Sequence, residues 1–190
     1  MAALALTFDD GPDVRWTAEL LDLLDEAGAG ATFFPIATRA QAEPALIARM
    51  LSDGHAVGLH CDEHVRHRER DRAWCEEDTD RALERLRGLG ADPQLWRTPW
   101  GETAPWTAEI AADRDLRLVD WSIDTHDWRG DSAADMFAAT RPGLEPGAII
   151  LAHDGIGPGA RRTDPAATLA YVSLVIEHAR SAGLTLESLA

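Results

Sequence analysis

Two adjacent acids, Asp9 and Asp10, sit in the stretch LTFDDGPD, residues 6–13, where an apolar run meets Gly11 and Pro12. Side-by-side carboxylates repel each other, and each is costly to bury unpaired. A solvated turn accounts for the glycine and proline, but not for two acids directly behind a buried strand. A second pair, His60 and His64 in HCDEH, is spaced i, i+4. On a helical turn that spacing puts both imidazoles on one face, within reach of one metal ion. With seven histidines in the chain such a pair arises easily by chance, and the acid pair on another strand end tips the reading towards ligation. Two histidines and one carboxylate leave a coordination position open, the pattern of a hydrolytic rather than a structural site. One acid of the pair then binds metal, and the other takes a proton from water. Arg97, Asp124 and His153 end three further apolar runs.

These residues need a scaffold that brings strand ends together. Apolar runs at 2–8, 31–36, 55–60, 95–99, 116–124, 147–154 and 184–189 read as seven strands. Between them lie helical patterns at 16–28, 42–54, 68–87, 105–114, 132–141 and 164–183. Leu20, Leu21, Leu24 and Ala27 form one stripe of the first helix, and Gly28 suits its end. In the last helix Asp164 reads as the N-cap, Pro165 as the first helical residue and Gly183 as the stop. Strands that are apolar throughout and alternate with helices imply an α/β fold with a parallel sheet covered on both faces. About seven units can close into a barrel, or form an open doubly wound sheet. In either case the C-terminal strand ends share one face, where active sites are built.

The chain has 190 residues, which fits one domain over 1–190. Its formal charge of −15 argues against nucleic acid or an anionic membrane as a partner. No apolar run approaches the ~18 residues of a membrane span. The opening MAALALTF lacks the basic head of a signal peptide. The expected location is cytoplasmic as encoded, or extracellular or cell wall if the chain is a trimmed form of an exported protein. Cys61 and Cys75 give one disulfide at most. No dimer stripe is evident on the helices, so a monomer is expected.

Five motifs, in order, resemble those of the polysaccharide deacetylases, carbohydrate esterase family 4, with the NodB-homology fold. They are TFDDGP (7–12), HCDEH (60–64), RTPWG (97–101), DTHDW (124–128) and LAH (151–153). The resemblance covers nearly the whole chain and implies a distorted (β/α) barrel of about seven parallel strands. It implies Asp9 as general base and His153 as general acid. Asp10, His60 and His64 would hold a divalent metal, Zn2+ or else Co2+ or another such ion. Arg97 would orient Asp9, and Asp124 would orient His153, although spacing allows Asp127 to exchange roles with Asp124. A backbone N–H near Trp100 would help hold the oxyanion, and Trp100 and Trp128 would lie near the substrate. The implied reaction removes N-acetyl groups from N-acetylated sugars, as in chitooligosaccharides or peptidoglycan. The alternatives are hydrolysis of a small non-polymeric N-acyl substrate or other C–N bond, and a non-catalytic sugar-binding module.

Cys61 stands where the family usually has Ser or Thr, and reads as a small space-filling residue. Asp62 and Glu63 read as solvated loop acids. His55, His67 and His126 have no matching role. Arg161 and Arg162, in a loop that reads as mobile, read as solvated surface residues, with substrate contact as the alternative.

Overall fold

Alternation of buried strands and amphipathic helices builds one ring of parallel strands. The computed structural model describes residues 2–189. Its strands are β1 (Ala3–Asp9), β2 (Ala31–Phe34), β3 (Ala56–Val57), β4 (Leu95–Trp96), β5 (Arg117–Leu118), β6 (Ile123–Asp124), β7 (Ile149–His153) and β8 (Thr185–Leu186). Its α-helices are α1 (Trp16–Ala27), α2 (Ala37–Ala42), α3 (Pro44–Ser52), α4 (Arg72–Gly88), α5 (Thr107–Ala112), α6 (Ala133–Thr140) and α7 (Ala166–Ala182).

Strand order is β3-β2-β1-β7-β6, with β8 on the first residues of β1. β4 and β5 form a separate pair. Leu59 joins that pair to the chain leaving β3: its N–H donates to the Leu95 carbonyl at 2.8 Å, and its own carbonyl accepts from the Arg97 N–H at 2.9 Å. Close packing requires a glycine just before it, since a Cβ on Gly58 would lie 2.5 Å from the Phe34 ring. The single strand expected over 116–124 is split into β5 and β6 because this segment changes partners midway. The Val119 N–H bonds the Trp96 carbonyl at 2.9 Å, whereas the Ser122 N–H bonds the Ile149 carbonyl at 3.0 Å. One stretch thus faces β4 with its first half and β7 with its second, and this closes a distorted barrel.

Two helix boundaries also depart from expectation. The helix expected over 42–54 is preceded by α2, and Pro44 divides the two by disfavouring helical geometry at Glu43. Pro165, not Asp164, holds the N-cap place of α7, although Asp164 Oδ1 still accepts the Ala166 N–H at 3.0 Å.

The core lies on the face of β1 that carries Leu4, Leu6 and Phe8. Leu4, Leu6 and Phe8 pack with Leu20, Leu21 and Leu24 of α1 and with Tyr171, Val172 and Val175 of α7, all buried. Each such side chain contributes roughly 1.5–3 kcal/mol by leaving water, so the strand carrying the acid pair is firmly anchored.

Candidate active site

β1 delivers the acids. Asp9 lies beside His153 in the parallel register of β1 and β7, and paired residues of neighbouring strands project to the same face. Asp10 would ordinarily project to the opposite face. Its φ of 72° is left-handed and breaks that alternation. The carboxylate instead reaches the loop after β3, with Oδ1 3.4 Å from His60 Nε2 and 3.1 Å from His64 Nε2. Arg39 Nη1 fixes the turn by donating to the Asp10 carbonyl at 2.7 Å.

Asp10, His60 and His64 each offer a ligand atom, all within 4.8 Å of one another. His60 Nδ1 lies 2.7 Å from the Arg97 carbonyl; a carbonyl only accepts, so Nδ1 carries the proton and Nε2 presents its lone pair. Despite their proximity, Asp10 Oδ1 and His60 Nε2 are buried without a hydrogen-bond partner. Buried polar atoms are seldom left so. Their convergence, with a donor set of two nitrogens and one oxygen, fits a divalent cation. Burial alone would raise the Asp10 carboxyl, but the two imidazoles overcome this and hold it well below the usual carboxylate range.

Asp9 Oδ1 takes Arg97 Nη1 at 2.9 Å, and the same nitrogen donates to Thr7 Oγ1 at 2.7 Å. The rest of the buried guanidinium bonds the Val119 and Asp120 carbonyls. Arg97 therefore ties Asp9 to the segment that closes the barrel.

The partner of His153 is Asp127, not Asp124. His153 Nδ1 lies 2.7 Å from Asp127 Oδ1, and its backbone N–H donates to Oδ2 at 2.9 Å. Burial would lower the imidazole, but Asp127 reverses this and raises it from 6.5 to about 9. Burial would raise Asp127, yet His153, Arg162 and Thr168 hold it down at about 2. Asp124 instead accepts the His126 N–H at 2.7 Å and lies 3.1 Å from His126 Nδ1. The two acids lie three residues apart in the chain, at the end of β6 and in the turn after it. Asp127 reaches it because a left-handed turn at His126 (φ 53°) directs the following residues inward.

Trp100 and Trp128 both line the cavity of about 370 Å³ that contains Asp9, Asp10, His60, His64 and His153. Trp121, another tryptophan close to the motif segments, lines it too. Trp100 (φ 56°) packs edge-on against His64, ring centroids 4.1 Å apart, and Arg66 stacks over it at 4.2 Å. Its backbone N–H meets no acceptor among the described residues.

Several supporting residues were missed or misread in the sequence. Asp78 of α4 accepts the N–H groups of Asp62 at 3.0 Å and Glu63 at 2.8 Å. Asp62 is buried, not solvated, and receives Arg85 at 2.7 Å and Arg81 at 3.1 Å. The loop between the two histidines is thus clamped to α4, which begins at an Asp71 N-cap worth ~1 kcal/mol. Their i, i+3 and i, i+4 spacings along α4 were the available signal. Cys61 is buried, its thiol pushed well up by burial, and it stands outside the ligand triad, as a space-filling residue should. Asp154 is buried and bonds the Gly11 N–H and the Thr17 hydroxyl; burial raises it to about 7. Arg162 is buried against Asp127 rather than solvated.

The description "Polysaccharide deacetylase" belongs to the family that matches residues 2–119. This chain is a member of the polysaccharide deacetylase family. A chitooligosaccharide deacetylase of Bradyrhizobium sp. is 36% identical over 173 residues, covering 86% of this chain and 75% of that protein. A peptidoglycan-N-acetylglucosamine deacetylase of Bacillus cereus is 34% identical over 164 residues. That match covers 82% of this chain but only 57% of the Bacillus protein. In structure, a family 4 carbohydrate esterase from Streptomyces lividans in complex with acetate superposes with a TM-score of 0.89 at 29% identity. The superposition spans 100% of this chain and 93% of the other.

Proposed function

We propose that this polysaccharide deacetylase family member is a metal-dependent N-deacetylase acting on N-acetylated amino sugars of the chitooligosaccharide or peptidoglycan type. The observation that carries the reading is one cavity holding the Asp10–His60–His64 triad between two braced groups, Asp9 on Arg97 and His153 on Asp127.

Asp10, His60 and His64 would hold the cation, zinc or cobalt in this reading, which supplies polarisation of the acetyl carbonyl and acidification of water. Asp9, oriented by Arg97, takes the proton of the attacking water. The Trp100 N–H faces the oxyanion; one good donor of this kind is worth ~3 kcal/mol. His153 already carries its proton at neutral pH and gives it from Nε2 to the amide nitrogen as the C–N bond breaks. The products are acetate and a free amine, because an unprotonated amide nitrogen is a very poor leaving group. Trp100, Trp121 and Trp128 offer aromatic surface to the sugar, and the reading takes the enzyme as a monomer.

Acetate release from chitooligosaccharides or peptidoglycan fragments with added zinc or cobalt, suppressed by a chelator, is the expected result. Binding that survives chelation with no acetate released would replace this reading with a sugar-binding module. Turnover confined to small N-acyl compounds would move the substrate away from glycans.

A further inference from the structure

We propose that Arg162 is a positioning residue for the proton donor: it locks Asp127 and the strand end bearing His153 into one unit, and so fixes the direction of the imidazole. The inference rests on the deacetylase reading for the role of His153.

The geometry comes from both ends of the dyad. Asp127 Oδ2 accepts Arg162 Nη1 at 2.9 Å, Thr168 Oγ1 at 2.7 Å and the His153 N–H at 2.9 Å. These three donors engage Oδ2, and His153 Nδ1 takes Oδ1 at 2.7 Å. A carboxylate held by four donors is not free to rotate. The other arm of the guanidinium, Nη2, donates to the His153 carbonyl at 2.8 Å and to the Gly155 carbonyl at 3.0 Å. One planar fork therefore grips the acid that orients the imidazole and the backbone that carries it. Arg162 Nη1 also bonds Thr168 at the start of α7. The guanidinium is about nine-tenths buried, and its rigid, always-charged fork suits two directed contacts at once.

Arg162 itself lines the cavity, at the end of the loop whose Gly155, Gly157 and Ala160 line it too. Backbone N–H groups of Arg161 and Arg162 bond the Trp128 carbonyl. The cavity wall and the proton donor are thus joined through one side chain.

The test uses Arg162→Gln, with Arg162→Lys as a second variant that keeps the charge but loses the fork. Two readouts separate positioning from general stability. First, in the zinc-loaded wild-type protein the His153 Nδ1 proton should give a downfield, exchange-protected NMR signal, and in the variants it should broaden or vanish. Second, the loss of activity should depend on the leaving group. Release of acetate from an N-acetylated sugar needs a proton donor, and should fall at least tenfold. Hydrolysis of p-nitrophenyl acetate, whose leaving group departs unprotonated, should fall much less. A His153 proton signal identical in wild type and variants overturns the inference whatever the activities are. Equal losses on both substrates also overturn it. Wild-type protein that releases no acetate from any N-acetylated sugar refutes the deacetylase reading instead, and the NMR comparison still decides whether Arg162 positions His153.

Discussion

The proposed proton donor, His153, is set by which acid faces it. Asp127 touches both its imidazole and its backbone N–H, whereas Asp124 is occupied by His126. Asp127→Asn should therefore lower kcat on an N-acetylated sugar by roughly 100-fold, the low end of what general acid–base catalysis contributes. Asp124→Asn should cost far less, and steady-state kinetics of the two variants will show whether the order holds. His153→Ala should abolish turnover while zinc affinity, measured by competition with a chelating dye, stays near wild type. The same dyad sets a pH dependence. His153 in the fold titrates near 9, above its ordinary 6.5, so the donor keeps its proton through neutrality. Turnover should fall on the alkaline side as that proton is lost, and Asp127→Asn should move this limb to lower pH. A folded value above the unfolded one also stabilises the protein. That contribution is complete below about pH 6.5 and disappears as pH rises through about 9, which thermal melts of wild type and Asp127→Asn will reveal.

At the level of elements, the loop carrying the proposed ligands His60 and His64 is held to α4 through its own Asp62 and two of its backbone N–H groups. Cys61 contributes bulk, and the directional bonds come from Asp78, Arg81 and Arg85 of α4. Removing a support behind metal ligands typically weakens binding by about 10–100-fold. Asp78→Ala should therefore lower zinc affinity by about that factor. On the other side of the triad, a Cβ on Gly157 would lie 2.0 Å from Asp10 Oδ2. Gly157→Ala should displace that carboxylate and impair metal binding although no ligand residue is substituted, a result that isothermal titration with zinc will check. All seven expected strands have counterparts because each is built on short apolar stretches between helical patterns, and the strand-end residues Asp9, His60, Arg97 and His153 follow from that pattern. The split at Val119–Ser122 was invisible because hydrophobicity reports burial, not which neighbour a segment pairs with. The choice between Asp124 and Asp127 depends on the positive φ of His126, which composition does not reveal. Arg162, similarly, looks like any surface arginine beside Arg161 until the fold places Thr168 and Asp127 around it.

On the scale of the whole molecule, the net acidity of the chain costs stability that a cation should return. The chain carries a formal charge of −15, and Asp9, Asp10 and Asp154 are buried close to one strand end. Asp154 illustrates the strain: burial raises it to about 7, so near neutrality it sits between its neutral and charged forms. The three proposed ligands come from the turn after β1 and from the loop after β3, so a cation bound by all of them recognises only the folded barrel. Binding is then linked to global stability. At a metal concentration 100 times Kd the gain is about 2.7 kcal/mol, which for a domain of this size raises Tm by roughly 5–10 °C. A chelator should reverse the rise. A surface this acidic also attracts cations without specificity, so the deciding comparison is Asp10→Asn, which leaves nearly all of the surface charge but removes one ligand. In that variant zinc should produce little of the wild-type rise. An equal rise in both proteins would mean that the cation stabilises the acidic surface at large, and that Asp10, His60 and His64 do not form the metal centre.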